Sequence, residues 1–389
     1  MVALERLDAD SLRDLSRRTD KIGVLSVYVD ADPKPDPNLS GVATDLKNRF
    51  RELQRRMAED KSERGRDVTA ALERVWTQIE WMTSPMFPGR GRVAFFGLGD
   101  GWTERHEIAM PVANRLVLDD GPFIHPLLEA LDEGRPAGVI ILATQEARLL
   151  EWRVGTLQTV SVMEQPYVEA PHERAGQIGG GPPGQFNAPV REQRQARERV
   201  LTERFVEEII GVATELAGQR GWERILLSGG PRWTESAVAK FPPPLRDNVF
   251  GDTRVLSGLD DAELAATVTE WAHEQHRERE KQLVDRIREA TGHRRSALGL
   301  SEVAGALNAG RVAHLVYDPE VRYVGSVGAD GSLYAGDEVG PTGEASKDPR
   351  FTERLIERAL ETRATVSPVE GAAKGELRDA EGVAALLRW

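Results

Sequence analysis

The sequence predicts a chain of three α/β units, and three observations carry that expectation. Its 389 residues are enough for two or three domains at about 150 residues each. Strand-like apolar runs alternate with helical periodicities along the whole chain, the order expected of layered α/β architecture. The pattern also restarts twice, near Arg135 and near Asp260.

The first unit opens on GVLSVYVDAD (Gly23–Asp32), a β-branched and aromatic run that ends in turn residues. Three prolines in DPKPDPN (Asp32–Asn38) allow neither strand continuation nor an early helix start. Leu46, Phe50, Leu53 and Met57 then recur at helical spacing, and a second helix is expected over Val68–Trp81. RVAFFGLGDGW (Arg92–Trp102) reads as a strand closed by a Gly-Asp-Gly turn, and Met110–Pro122 as further strand and turn.

In the second unit GVIILATQ (Gly138–Gln145) reads as a buried strand, and Glu146–Met163 as a hairpin around Val154-Gly155. A Gly/Pro-rich loop (Ala175–Pro189) leads into a charged helix, Arg191–Leu216, expected to bury Val200, Leu201, Phe205, Ile209 and Leu216. ERILLSGGP (Glu223–Pro231) is a further buried strand. The third unit begins with a long polar helix stopped at Gly292, followed by helix Ser301–Gly310 and strands Val312–Asp318 and Val321–Val327. Helix Pro349–Thr362, strand Ala364–Val369 and an apolar VAALLRW complete it.

Composition excludes several chemistries. No cysteine is present, so disulfides, thiolate metal sites and cysteine nucleophiles fall away. The start, MVALERLDAD, lacks a signal-peptide core, and no apolar run reaches the length of a membrane span, so a cytoplasmic protein is expected. Lys and Arg number 51 against 63 Asp and Glu, a net charge of −12, which opposes non-specific nucleic-acid binding by the overall field. Local patches nevertheless stand out. Leu46–Arg66 holds eight basic residues, Arg49, Arg51, Arg55 and Arg56 among them, against four acidic ones. A second cluster, Arg191, Arg194, Arg197 and Arg199, follows the Gly-rich loop but is interleaved with Glu192 and Glu198.

Enzyme motifs fail one by one. Gly179, Gly181 and Gly184 spell G-x-G-x-x-G, but no strand leads into them and Pro182-Pro183 interrupts them. HEQH at His273–His276 lacks the spacing of a zinc helix and reads as solvated surface. Ser228 sits outside G-x-S-x-G, and Asp30 and Asp32 are explained by a turn. No cofactor or metal is expected.

With this order in hand, the chain resembles the bacterial branch of the archaeo-eukaryotic release-factor and Pelota superfamily. LSVYVD resembles the opening of that family's first domain, and GGGPPGQFNAPVREQRQARERV stands where its middle domain carries a Gly-Gly-Gln loop and helix. GLSEVAGALNAGRVAHLVYD and EGVAALLRW are similar to its last domain. The resemblance implies an N-terminal decoding-centre-facing α/β domain (1–133), an RNase H-like middle domain (134–258) and a kink-turn-binding-protein-like α/β/α sandwich (259–389).

It further implies a monomeric, tRNA-shaped partner of the ribosome, entering the A site against rRNA, with a translational GTPase at its C-terminal domain. Gln185, after Gly184, is the nearest match to the glutamine that orients water in release factors. Gly180-Gly181 is separated from it by two prolines, so no contiguous Gly-Gly-Gln exists. Two functions are therefore expected: a non-hydrolytic A-site occupant similar to Balon-type hibernation factors, or a rescue peptidyl-tRNA hydrolase using Gln185. Gly180, Gly181, Arg49, Arg51, Arg55, Arg56, Arg191, Arg194, Arg197 and Arg199 would contact RNA. The acidic excess would fall elsewhere, including on the C-terminal unit.

Overall fold

A computed structural model describes residues 2–3, 9–32, 39–84, 86, 89–143, 146–165, 188–336 and 345–389, without the side chains of 2, 3, 9, 188–198 and 232–233. The described chain forms two compact units, one made of Met1–Gly134 with Trp271–Trp389, the other of Arg135–Glu270. The described elements alternate helix and strand in both units, as expected of an α/β chain.

The N-terminal domain runs β1 (Val2–Ala3), α1 (Ala9–Ser16), β2 (Val24–Asp30), α2 (Ser40–Glu59), α3 (Glu63–Trp81), β3 (Gly91–Gly97), β4 (Thr103–Ile108), β5 (Arg115–Asp119) and α4 (His125–Glu133). Its sheet has the order β1-β4-β3-β2-β5. The strand expected over Gly23–Asp32 is the buried β2, antiparallel to both neighbours. Leu25, Val27 and Val29 meet Leu46, Phe50 and Leu53 of α2 and Val68, Leu72 and Ile79 of α3, so both helices cover one face. Sequence periodicity misses α1 and α4, both too short to repeat an apolar stripe.

Asp20 ties two turns of this domain together. Its carboxylate accepts N–H bonds from Ile22, Gly23, Gly99 and Asp100 at 2.8–3.1 Å. Burial pushes its pKa up, but the four backbone donors outweigh it and hold the pKa below the usual value. Asp20→Ala should lower stability by about 1–3 kcal/mol by orphaning those donors, as read by denaturant titration. With the folded pKa depressed, Asp20's contribution is complete above the ordinary carboxyl range and is lost as pH falls through the folded value.

The second unit runs β6 (Ala137–Leu142), β7 (Glu146–Arg153), β8 (Thr156–Glu164), α5 (Ala188–Arg220), β9 (Arg224–Ser228), α6 (Pro231–Lys240), α7 (Pro243–Arg246) and β10 (Val249–Asp252). The sheet order is β10-β9-β6-β7-β8, with β6, β7 and β8 antiparallel and β9 and β10 parallel to β6. Gly138 is required here, because a Cβ would lie 2.2 Å from the Trp222 ring. Helix α5 packs Phe205, Ile209, Ala213 and Ala217 on the sheet. Val200, expected to be buried, is 48% exposed, because five residues before Phe205 place it about 140° away around the helix. Leu216 is only partly buried.

The rest of the first unit follows: α8 (Asp261–Thr291), which belongs to it from Trp271 onward, β11 (Ser296–Leu298), α9 (Leu300–Asn308), β12 (Val312–Tyr317), β13 (Gly325–Val327), β14 (Leu333–Ala335), β15 (Ser346–Asp348), α10 (Phe351–Glu361), β16 (Thr365–Pro368), α11 (Gly371–Glu376) and β17 (Val383–Leu387). The main sheet has the order β11-β17-β12-β16, and β13, β14 and β15 form a small second sheet. Val284 and Ile287 of α8 join Ala373 and Leu377 against Val316 and Ala384 of the sheet. The strand expected over Val321–Val327 is extended only from Gly325. Before it the chain turns, Val321 N–H bonding to Asp318 C=O, so that the buried Tyr323 hydroxyl reaches Gly382 C=O at 2.6 Å.

The two halves of this unit are joined by buried polar contacts. Phe123 stacks on His125 at 4.7 Å, and His125 meets the Tyr317 ring edge-on at 5.7 Å. Burial, with Arg115 and Arg350 nearby, pushes the His125 pKa down to about 3, so the ring is neutral. Arg350 pairs with Asp119, and Arg13 donates to Leu360 C=O at 2.7 Å.

Candidate functional site

The basic residues expected to meet RNA begin on α2. Burying Leu46, Phe50 and Leu53 turns the opposite face of this helix to solvent. Phe50 also contacts the Trp76 ring at 4.5 Å, which fixes the rotation of α2 against α3. Lys47, Arg51 and Arg55 recur every fourth residue and are all exposed, so they form one line along about 12 Å of helix. Among the described residues none of the three has an ion-pair partner.

Arg49 and Arg56 lie on the far flank, with Arg49 bound to Asp45 at 2.8 Å. Arg64 is taken up structurally by Asp120 at 2.5 Å. The structure thus divides the sequence patch: Arg51, Arg55 and Arg56 remain uncompensated, whereas Arg49 is partly neutralised.

The second patch lies on α5, in the other compact unit. This helix extends from Ala188 to Arg220, longer at both ends than its periodicity indicates. Arg199 is exposed, one turn before the buried stretch. Arg191, Arg194 and Arg197 fall within the helix backbone, and their side chains lie outside the described residues, as do Gly180, Gly181, Gly184 and Gln185. In chain order the Gly-rich loop connects the end of β8, a sheet-edge strand, to the start of α5.

The rejected enzyme readings acquire structural explanations. Ser228 donates to Arg254 C=O at 2.7 Å and accepts from Leu256 N–H, so its hydroxyl holds a turn. Asp32 pairs with Arg90, and Asp30 accepts the Asp32 N–H. No group of three or more His, Asp or Glu able to hold a metal occurs among the described residues. No helix among them is long and apolar enough to cross a membrane.

The HEQH segment departs from its expected solvated surface. His273 pairs with Glu133, and His276 lies 3.6 Å from Glu280, a carboxyl only 3% exposed. Arg279 binds Asp132, so this face of α8 clasps α4. The pairing residues of α4 stand more than 130 positions away in sequence, and no local pattern signals them.

Burial, reinforced by Asp132 and Glu370, raises the Glu280 pKa to about 8, against the Glu370 N–H and Arg279. With the folded pKa raised, its contribution is complete below the ordinary carboxyl value and is lost as pH rises through about 8. Glu280→Gln should therefore match the parent in melting temperature near pH 5 and exceed it above pH 8.

Residues 122–277 match the family model for bacterial archaeo-eukaryotic release factor family 10. No curated protein matches the chain. Among solved structures, the archaeal translation termination factor aRF1 is 18% identical, over 100% of this chain and 99% of that one, with a TM-score of 0.25. Pelota from Archaeoglobus fulgidus is 16% identical over 77% and 79% of the two chains, with a TM-score of 0.33. Archaeal Pelota, from a model of its ribosome-bound form with ABCE1, is 14% identical over 77% of each chain, with a TM-score of 0.42. All three superpose loosely.

Proposed function

We propose, from a chain that belongs to the archaeo-eukaryotic release-factor superfamily through its residues 122–277, that it is a ribosome-binding translation factor of the cytoplasm. It occupies the A site as a tRNA mimic and does not hydrolyse peptidyl-tRNA. The observation that supports this reading best is the line Lys47, Arg51 and Arg55 on α2. Its charges are held outward by a fixed apolar seam and are uncompensated in a chain of net charge −12. Such a line neutralises phosphates without reading sequence, which suits binding to folded RNA by shape.

Non-hydrolytic action is supported by the covalent order of the loop. Pro182 and Pro183 stand between Gly180-Gly181 and Gly184-Gln185, and each proline fixes φ and removes a backbone donor. A glutamine that orients water against an ester must be held within about 3 Å of the reacting carbon, so rate depends on positioning. Gln185→Ala should therefore leave pelleting with 70S ribosomes unchanged. Wild-type protein should release no nascent chain from stalled complexes. Release by the wild type that disappears in Gln185→Ala would replace this reading with the rescue hydrolase.

A further inference from the structure

The main sheet of the C-terminal domain ends in a row of arginines that no local stretch of sequence displays. Arg294 and Arg295 precede β11, Arg388 and Trp389 follow β17, Arg311 precedes β12, and Arg363 precedes β16. Pairing brings them to one end of the sheet. Leu387 N–H bonds to Arg295 C=O at 2.9 Å, Arg388 N–H to Arg311 C=O at 2.8 Å, and Val312 is opposite Leu387. His314 lies opposite Thr365, which sets Arg363 beside the start of β12. Four strands in the order β11-β17-β12-β16 spread the row over about 14 Å at ordinary strand spacing.

The row is cationic and stays so. Among the described residues none of the five arginines is paired with an Asp or Glu side chain, and Glu361 is the one acidic side chain within two residues of any of them. Arg388 donates to Gly310 C=O at 2.9 Å and also to Thr362 C=O. Carbonyl partners orient a guanidinium without cancelling its charge, so less side-chain freedom is lost when an anion binds. Arg294 and Arg363 are exposed and take left-handed backbone, φ 56° and 59°, at positions where glycine or asparagine would be less strained. Next to Arg388 in sequence and within hydrogen-bond reach of Arg311, Trp389 is 65% exposed, a large flat residue at the edge of the row.

We propose that this end of the sheet is a separate RNA-binding surface, taking single-stranded RNA by phosphate contacts to the arginine row and base stacking on Trp389. Cations in fork geometry with an adjacent aromatic face are what single strands require, since every base offers a π-face and every linkage a charge. The exposed tryptophan favours RNA over an acidic protein segment, for which charge alone would suffice. The surface shares no residue with α2 or α5, and the proposal does not rest on the ribosome reading, which has its own pelleting test.

The test uses full-length protein carrying Arg51→Gln/Arg55→Gln, so that α2 does not mask the change, and a fluorescein-labelled oligouridine read by anisotropy. Adding Arg294→Gln, Arg295→Gln and Arg363→Gln should weaken binding by at least about tenfold and flatten the log K against log salt slope by about two. The corresponding three lysine replacements should retain most of the affinity. Trp389→Ala should cost about tenfold, while Trp389→Phe keeps most of the binding. Photocrosslinking to 4-thiouridine RNA should label the peptide containing Trp389. A folded triple-glutamine variant with unchanged affinity and salt slope would overturn the proposal. So would polyglutamate that binds the starting protein as tightly as oligouridine and loses binding in the triple variant, which would reassign the surface to an acidic protein.

Discussion

Replacing Arg350 by alanine should lower the stability of the first compact unit by about 3–5 kcal/mol, the usual cost of stranding one member of a buried ion pair. Its side chain is 8% exposed and reaches Asp119 at 2.5 Å and Glu357 at 3.6 Å. Asp119 ends β5 and Glu357 lies on α10, so one guanidinium ties the N-terminal sheet to a C-terminal helix. The Asp119 contact is an ion pair by distance, its Nε–H not aligned as a hydrogen bond.

Burial raises the Asp119 pKa, and Arg350 opposes that rise. Without Arg350 the folded pKa climbs further above the unfolded value, so Asp119's contribution survives at low pH and is lost as pH rises. The deficit of Arg350→Ala should consequently be larger at pH 7.5 than near pH 5, as urea titrations at the two pH values would show. Adding Asp119→Asn to an Arg350→Met background should recover part of the loss, because no charge is then left unpaired. Equal deficits at both pH values would mean that Arg350 acts by packing alone.

The second large effect concerns α2. Arg51→Glu/Arg55→Glu should reduce ribosome association by about a hundredfold or more and flatten its salt dependence by about two in log–log slope. Both side chains are exposed, so folding should be unaffected, and a thermal melt on the same preparation checks this. Arg49→Glu should cost much less, because Arg49 is already paired with Asp45. Sedimentation with 70S particles over a salt series measures all three. Equal losses from Arg49→Glu and the double reversal would show that net charge matters and the line does not.

Most of the element order was legible along the chain. Buried strands such as β2 and β6 announce themselves by continuous apolar runs, and α2 by an apolar stripe at spacing four and three. That stripe also implies the face carrying Lys47, Arg51 and Arg55, since both follow from one helical period. Val200 was misplaced because a charged helix with a wide apolar sector admits more than one phase, and only the sheet beneath α5 selects it. The clasp of His273 and Arg279 on α4 was illegible for another reason. Its partners lie more than a hundred residues away, and a helix rich in charge looks the same whether its face is solvated or paired.

What the sequence determined by itself was the α/β alternation, the absence of thiol chemistry, the two prolines between Gly180-Gly181 and Gly184-Gln185, and the basic residues of α2. Each depends on composition, covalent order or a period of a few residues. Tertiary structure alone decided that Arg350 is buried against Asp119, that the buried Glu280 carboxyl meets the Glu370 N–H, and that Arg294, Arg295, Arg311, Arg363 and Arg388 share one sheet end. Strand order and register arise from long-range pairing, which the period-two pattern of any single strand leaves open.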